Sequence, residues 1–183
     1  METEITKNKM RTIKIDKVTL NIGAGAISDN VDKAVALLKN ITGEKIVKTK
    51  AKRRVATWKL RPGLPIGAKV TLRGKKASEV LDRLLQAINY EIYKGSFTEN
   101  GFSFGVKEYI DIPEVKYDPK IGIIGLQAIV TLKRPGFRIK NRKLRKKKIA
   151  PAHKITAEDS MSFAQKKLGI KIKEKKEKWS MMY

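Results

Sequence analysis

Apolar residues recur along this chain at two spacings, every second residue in some segments and every third or fourth residue in others. Alternation is typical of strands with one buried face. Strands are predicted at residues 12–22, 45–49, 68–73, 102–112 and 124–132. In the first of these the alternation slips at Asp16-Lys17, so a bulge or turn is expected there.

The helical spacing is clear in two segments, residues 29–42 and 76–89, where the apolar side chains fall on one stripe. Ser28 or Asp29 is expected to cap the first of these helices, and Gly43 is expected to end it.

A third helix is predicted near the end of the chain. Thr156 and Asp159 have the spacing of a capping box, and Gly169 provides a C-terminal stop, so this helix would run to about residue 168. Residues 1–168 are therefore expected to form a single α+β domain, and residues 169–183 a charged C-terminal tail.

The order of these elements predicts a two-layer α+β fold. Each helix is apolar on one side only, so the helices would cover one face of a mainly antiparallel sheet and leave the other face open. On the strand at 68–73 the open face would carry Lys69, Thr71 and Arg73.

The net charge of +24 is concentrated in two windows of the 183-residue chain. Residues 45–78 and residues 119–157 each contain twelve Lys or Arg and no Asp or Glu, while acids and bases balance elsewhere. Repulsion within such windows opposes compaction, so a polyanion such as nucleic acid is the expected partner.

Composition argues against several other classes of protein. With no Cys and a single His, His153, no disulfide, metal cluster or cofactor site is expected. No stretch approaches the roughly eighteen apolar residues of a membrane span, and the N-terminus lacks the apolar region of a signal peptide. A cytosolic protein is expected, with His153 exposed or in contact with phosphate.

Two glycine-rich segments resemble nucleotide-binding loops only in part. In NIGAG, residues 21–25, the third glycine of the dinucleotide motif is replaced by Ser28, so a tight strand-to-helix turn is the better interpretation. GLPIGAK, residues 63–69, lacks the spacing and the hydroxyl residue of a Walker A loop. Neither segment predicts a small-molecule substrate.

An enzyme acting on RNA would need a cluster of carboxylates that binds a metal ion. Asp111, Glu114 and Asp118 are the only candidates, and no base or nucleophile accompanies them. No enzyme is therefore expected.

The two basic windows contain segments of different character. Residues 138–148, RIKNRKLRKKK, have eight cations and no aromatic residue, which suits the neutralisation of phosphates. Residues 52–69, KRRVATWKLRPGLPIGAK, have six cations around Trp58 and are interrupted by Pro and Gly, so a projecting basic loop is expected. Trp58 could stack on a nucleotide or pack into the core under the loop, and the sequence leaves both open.

Several segments together resemble large-subunit ribosomal protein number five, the universal 5S-rRNA-binding family, in its archaeal form. They run in order from about Met10 to Lys143 and comprise TLNIGAG, KTKAKRR, LRPGLPIGAKVTLRG, FSFGVKEYIDI and YDPKIGIIGLQAIVTLKRPGFRIKNRK. The resemblance implies an antiparallel sheet with helices on one face and a structural role in the central protuberance of the cytoplasmic ribosome. It implies as partners 5S rRNA, large-subunit rRNA, P-site tRNA and neighbouring ribosomal proteins, including one of the small-subunit head.

The resemblance also implies roles for particular residues. The 5S rRNA contacts would be Asn21, Lys50, Lys52, Thr71 and Arg73. The loop near P-site tRNA would present Arg53, Arg54, Trp58, Lys59, Arg61, Pro62 and Gly63. The bridge to the small subunit would lie at Pro113, Lys116, Tyr117 and Asp118. From their charge, rRNA phosphate contacts are expected at Arg134, Arg138, Lys140, Arg142, Lys143 and Arg145.

Two positions depart from the family pattern. Glu44 stands where many relatives carry Gln, and a carboxylate is a poor neighbour for phosphate, so it is left out of the expected site. Trp58 stands where relatives often have Phe. The alternative to the family role is a general RNA-binding or RNA-chaperone module, which would bind unrelated RNA as well as 5S rRNA.

Overall fold

Twelve helices and strands make up the fold in the computed structural model, which describes residues 8–174. In chain order they are β1 (Lys14–Gly23), α1 (Ser28–Thr42), β2 (Val47–Lys50), β3 (Pro65–Leu72), α2 (Gly74–Ala87), β4 (Glu91–Tyr93), β5 (Phe97–Thr98), β6 (Gly101–Val106), β7 (Leu126–Lys133), α3 (Arg138–Asn141), α4 (Ala157–Leu168) and β8 (Lys171–Lys173).

Six of the strands form one sheet in the order β2-β3-β1-β7-β6-β5, and each neighbouring pair is antiparallel. The predicted α+β class and antiparallel sheet are therefore confirmed. The remaining strands, β4 and β8, pair in parallel as a separate two-stranded sheet.

The sheet buries one face under α1 and α2. Alternate strand residues form this face, including Leu20 and Ile22 of β1 and Val70 of β3, none more than 3% exposed. They share one apolar cluster with Leu38 of α1 and Leu84 of α2. Burying side chains of this size stabilises the fold by about 1.5–3 kcal/mol each, so the alternation decides which face stays open.

The bulge expected in β1 is present. The pairing of β1 with β7 shifts between Ile15 and Lys17, which leaves Asp16 as the extra residue. The turn after β1 is the expected tight connection, because the backbone N–H groups of Ala24 and Gly25 both donate to the carbonyl of Ile66 on β3.

Both glycine stops are confirmed, since Gly43 and Gly169 have left-handed backbones with φ of 65° and 64°. The predicted N-cap of α1 is wrong. This helix begins at Ser28 and its N-cap is Ile27, which makes no side-chain hydrogen bond. Asp29 instead lies in the first turn, where its negative charge interacts favourably with the helix dipole. Its carboxylate also pairs with Lys33 at 2.9 Å.

Two predicted elements are shorter than expected. The helix expected to end at residue 89 stops at Ala87, because Asn89 and Tyr90 adopt left-handed backbones with φ of 53° and 57°. The strand expected to reach residue 112 stops at Val106. The chain then turns through a 3-10 helix at Tyr109–Asp111, which buries the Tyr109 ring.

The first residues of the expected tail belong to the fold. Ile170 is 3% exposed, and Lys171–Lys173 pair with Glu91–Tyr93. Residues 175–183 lie outside the described part of the chain. No helix within residues 8–174 is long and apolar enough to cross a membrane.

Candidate nucleic-acid interface

The face of the sheet turned away from α1 and α2 is polar, and we call it the open face. Directly paired residues of antiparallel strands lie on the same face. The register therefore places Thr19 beside Thr71 and Asn21 beside Lys69. All four side chains are exposed or half-buried. They present hydroxyl, amide and ammonium groups in two adjacent rows.

The open face continues across the centre of the sheet. Lys17 pairs with Thr131 and Asn21 with Gln127, both on β7. Ser103 of β6 lies in the row between these two pairs, opposite Ile129. Only the contribution of the strand at 68–73 to this face was predicted from the sequence. The same alternation in β1 and β7 could have identified these positions, because they alternate with buried residues.

The predicted 5S rRNA contacts fall in two places. Asn21 and Thr71 lie on the open face, and Arg73 follows β3 directly and is exposed. Lys50 and Lys52 are also exposed, but they lie at the end of the edge strand β2, where the basic loop begins. The structure thus brings three of the five residues together in the middle of the sheet.

Asp16 lies beside this basic surface, and two cations neutralise it. Its Oδ1 accepts hydrogen bonds from Lys133 Nζ at 2.7 Å and from Arg73 Nη1 at 3.2 Å. Partial burial raises the pKa of Asp16, but the Lys133 hydrogen bond and the charges of Lys133, Arg73 and Lys17 outweigh it. The net effect is a pKa below the usual value. Glu44, left out of the expected site, is paired with Lys76 of α2.

The basic loop, residues 51–64, is a closed hairpin with its own hydrogen bonds. Ala51 and Leu64 are joined at its base by a 2.8 Å hydrogen bond, and Val55 and Leu60 exchange two bonds of 3.1 and 3.0 Å near its tip. Trp58 lies between the latter pair and is 69% exposed. Of the two roles left open for Trp58, packing into the core is therefore wrong.

The cations of this loop point to solvent. Lys52, Arg53, Arg54, Lys59 and Arg61 are all exposed, as are Pro62 and Gly63. The backbone of Lys59 is left-handed, with φ of 53°, which closes the tight turn that presents the indole. The loop thus holds its charges and its aromatic ring at one end of the sheet.

One expected phosphate contact is corrected. Arg134 is only 7% exposed, and its guanidinium donates to Lys154 O at 2.9 Å and to Asp159 Oδ2 at 3.0 Å. Asp159 also completes the predicted capping box of α4 with Thr156. Arg134 therefore joins the end of β7 to α4 instead of facing solvent. The other five expected contacts, Arg138, Lys140, Arg142, Lys143 and Arg145, are exposed.

The segment that connects β7 to α4 is held in place at a second point. The ring of His153 lies edge-on to Phe137, with centroids 5.7 Å apart, and its Nε2 is 2.8 Å from Pro135 O. This contact gives His153 a packing role, unlike the exposed or phosphate-bound role expected for it. The short helix α3 follows Phe137 and has no signal in the sequence, since four residues are too few for periodicity.

The loop at residues 113–120 has no regular structure, as expected, and is tied to the core at Asp118. The backbone N–H of Asp118 donates to the hydroxyl of the buried Tyr109 at 3.0 Å. Pro113 is half-buried, whereas Lys116 and Tyr117 are exposed. The Tyr117 ring, 53% exposed, is thus held on a fixed turn.

The carboxylates considered for metal binding do not form a site. Glu114 pairs with Arg83 of α2 at 3.1 Å, and Asp118 Oδ1 accepts from the N–H of Lys120. Within residues 8–174 no group of three acidic, His or Cys side chains could hold a metal ion.

Comparison with known proteins decides between the classes that this surface allows. A family model described as ribosomal protein L5 matches residues 8–61, and a second model, for the C-terminus of the same ribosomal family, matches residues 65–163. The chain belongs to the ribosomal protein L5 family. Strands from both matched segments interleave in one sheet, so the L5 core is built from the two together.

Archaeal relatives match almost the whole chain. It is 52% identical over 167 residues to the large ribosomal subunit protein uL5 of Nanoarchaeum equitans, covering 91% of this chain and 99% of that protein. It is 44% identical over 171 residues to uL5 of Sulfurisphaera tokodaii, covering 92% of this chain and 97% of that protein. Members of the L5 family are structural proteins of the cytoplasmic ribosome and not enzymes, so the expected class and archaeal branch are confirmed.

Proposed function

We propose that the chain binds 5S rRNA through the open face and helps to attach that RNA in the central protuberance of the large subunit. The observation that carries the proposal is the paired polar rows, Thr19 with Thr71 and Asn21 with Lys69, on a face that α1 and α2 leave uncovered.

The chemistry of these rows suits RNA better than DNA or protein. Hydroxyl and amide groups can donate to and accept from a ribose 2′-OH, which distinguishes RNA from DNA. Lys69 and Arg73 neutralise phosphates, and Arg73 can do so with two parallel hydrogen bonds. Because Asp16 already pairs with Arg73 and Lys133, it presents little uncompensated negative charge to a phosphate.

The basic loop would serve a different RNA. A closed hairpin with an exposed indole and five cations can reach beyond the sheet, and an aromatic ring on a fixed turn stacks on a nucleotide with little loss of entropy. We assign it to contact with the elbow of P-site tRNA, as the family resemblance implies. Lys50 and Lys52, at its base, would extend the 5S rRNA surface toward it.

Two further surfaces complete the assignment. The exposed cations of residues 138–148 would neutralise rRNA phosphates. The loop at 113–120, with Tyr117 exposed and Asp118 tied to Tyr109, would bridge to a small-subunit head protein. Aromatic residues on rigid turns are common anchors of such interfaces.

The test is competition binding of the purified chain to 5S rRNA at several salt concentrations, with an unrelated structured RNA of equal length as competitor. The proposal predicts a preference for 5S rRNA that survives moderate salt. It also predicts that the logarithm of the binding constant falls with the logarithm of the salt concentration, with a slope of nearly one unit per phosphate neutralised in a duplex. Equal binding of both RNAs would instead support the general RNA-binding or chaperone module.

A further inference from the structure

A basic cavity opens between the end of β7 and α3, beside the open face. Its volume is about 540 Å³, within the range of about 300–1,000 Å³ typical of ligand pockets. One carboxylate, Asp16, and five cations line it: Lys17, Lys133, Arg134, Arg138 and Lys140. A cavity with this balance of charge favours an anionic ligand.

Most of that positive charge has no partner within the protein. Asp16 is neutralised by Lys133 at 2.7 Å and by Arg73. In the part of the chain that the structure describes, Lys17, Arg138 and Lys140 form no ion pair with a carboxylate. Three cations on two elements, β1 and α3, therefore remain for a phosphate.

The rest of the lining suits a base. The half-buried Phe137 ring, with Pro135 and Gly136 beside it, provides an apolar wall. The side chains of Asn100 and Asn141 add amide donors and acceptors, which match the edges of bases. A site for phosphate alone would need neither an apolar wall nor amides.

The cavity is continuous with the open face. Lys17 and Thr131 are paired across β1 and β7 in one row of that face, and both also line the cavity. The next residue in the row is Gly101, which has no side chain. An RNA that lies on the open face therefore meets the cavity at the end of this row.

We propose that the cavity receives one unpaired nucleotide of the RNA bound by the open face. Its phosphate lies among Lys17, Arg138 and Lys140, while its base lies against Phe137 and is recognised by Asn100. This inference rests on the proposed function, because the open face delivers the RNA. Proteins commonly recognise RNA through unstacked bases that leave the helix in this way.

The first test compares two charge-matched double variants in 5S rRNA binding at fixed salt. Arg138→Ala/Lys140→Ala removes two cations of the cavity, and Lys143→Ala/Lys148→Ala removes two exposed cations of the same basic segment outside it. The cavity pair should lose about tenfold more affinity than the control pair, the scale of one hydrogen bond to a charged group. Equal losses of affinity in the two double variants would overturn the proposal. They would mean that these cations act only as a general basic surface.

A neutral variant separates base recognition from charge. Asn100 has a left-handed backbone with φ of 68°, so Asn100→Gly keeps the turn and removes only the amide. It should weaken 5S rRNA binding by about three- to tenfold, the value of one hydrogen bond, and leave the dependence of affinity on salt concentration unchanged.

Chemical probing of the bound RNA gives a second readout. One nucleotide should be protected by the wild type and by the Lys143→Ala/Lys148→Ala variant. The Arg138→Ala/Lys140→Ala variant should leave that nucleotide unprotected.

A separate measurement makes the inference independent of 5S rRNA. Nucleoside monophosphates at millimolar concentration should shift the backbone amide signals of Asn100, Gly136 and Phe137 in NMR spectra of the labelled chain. Such shifts without preferential 5S rRNA binding would retain the cavity and reject the proposed function. Preferential 5S rRNA binding with cavity variants that behave like the control would reject the cavity alone.

Discussion

Arg134 and Asp159 form a partly buried ion pair that joins the end of β7 to the first turn of α4, with Nη2 and Oδ2 3.0 Å apart. The same Asp159 oxygen accepts the N–H of Thr156, so it also completes the capping box. One carboxylate thus fixes both the start of α4 and the exit of the chain from the sheet. The position of the exposed basic segment between β7 and α4 depends on this ion pair.

Replacing Arg134 should destabilise the free protein. Arg134→Ala leaves Asp159 without its cation and removes the donor to Lys154 O, so unfolding should become easier by about 2 kcal/mol, typical of a hydrogen bond to a charged group. Urea unfolding followed by circular dichroism measures this change. Arg138→Ala, at an exposed position of the same segment, should change stability by less than about 0.5 kcal/mol. Equal effects of the two variants would contradict the assignment of Arg134 to the fold.

Trp58 should contribute little to stability. Because its side chain is 69% exposed, Trp58→Ala should change the free energy of unfolding by less than about 0.5 kcal/mol. The buried Phe102 gives the contrast, since Phe102→Ala should cost about 3–5 kcal/mol. A loss for Trp58→Ala as large as that for Phe102→Ala, in the same urea titration, would mean that the indole packs in the core.

The low pKa of Asp16 predicts a particular dependence of stability on pH. A carboxyl whose folded pKa is depressed contributes stability above its unfolded pKa of about 3.9, and that contribution disappears as the pH falls through the folded value. The stability difference between wild type and Asp16→Asn should therefore be constant from neutral pH to about pH 5 and shrink below about pH 4.

Urea titrations at each pH measure this difference. Asp82→Asn, at an exposed site of α2 with no ion pair among residues 8–174, is the control and should have no effect at neutral pH. A difference that already shrinks near pH 6 would show that the ion pairs with Lys133 and Arg73 do not stabilise the charged form of Asp16.

Period-two alternation was sufficient to predict five of the six strands of the main sheet and the open face of one of them. Buried residues such as Leu20 and Val70 leave their polar neighbours only one side on which to lie, so Thr71 and Lys69 could be assigned before any coordinates. The bulge at Asp16 was equally visible as a slip in phase.

Two of the misses depend on contacts between distant parts of the chain. The strands Glu91–Tyr93 and Lys171–Lys173 are too short to show a period and are defined by their pairing with each other. Arg134 looks like its basic neighbours in sequence, and only the approach of Asp159 makes it part of the interior. The exposure of Trp58, which the sequence left open, depends on the local pairing of Val55 with Leu60.

The division of labour between the open face and the basic loop can be tested with two charge-matched double variants. Lys69→Ala/Arg73→Ala removes two cations from the open face and its margin, and Arg54→Ala/Arg61→Ala removes two exposed cations from the loop. Melting curves of both variants should show that each remains folded. Both lower the net charge equally, so long-range attraction to RNA falls by the same amount.

The most direct measurement is the affinity of these two variants for 5S rRNA at one moderate salt concentration. If the open face binds this RNA, Lys69→Ala/Arg73→Ala should lose at least about tenfold in affinity, the value of one charged hydrogen bond or more, while Arg54→Ala/Arg61→Ala should stay close to wild type. If Arg54→Ala/Arg61→Ala loses as much affinity for 5S rRNA as Lys69→Ala/Arg73→Ala, or more, the assignment of 5S rRNA to the open face is contradicted.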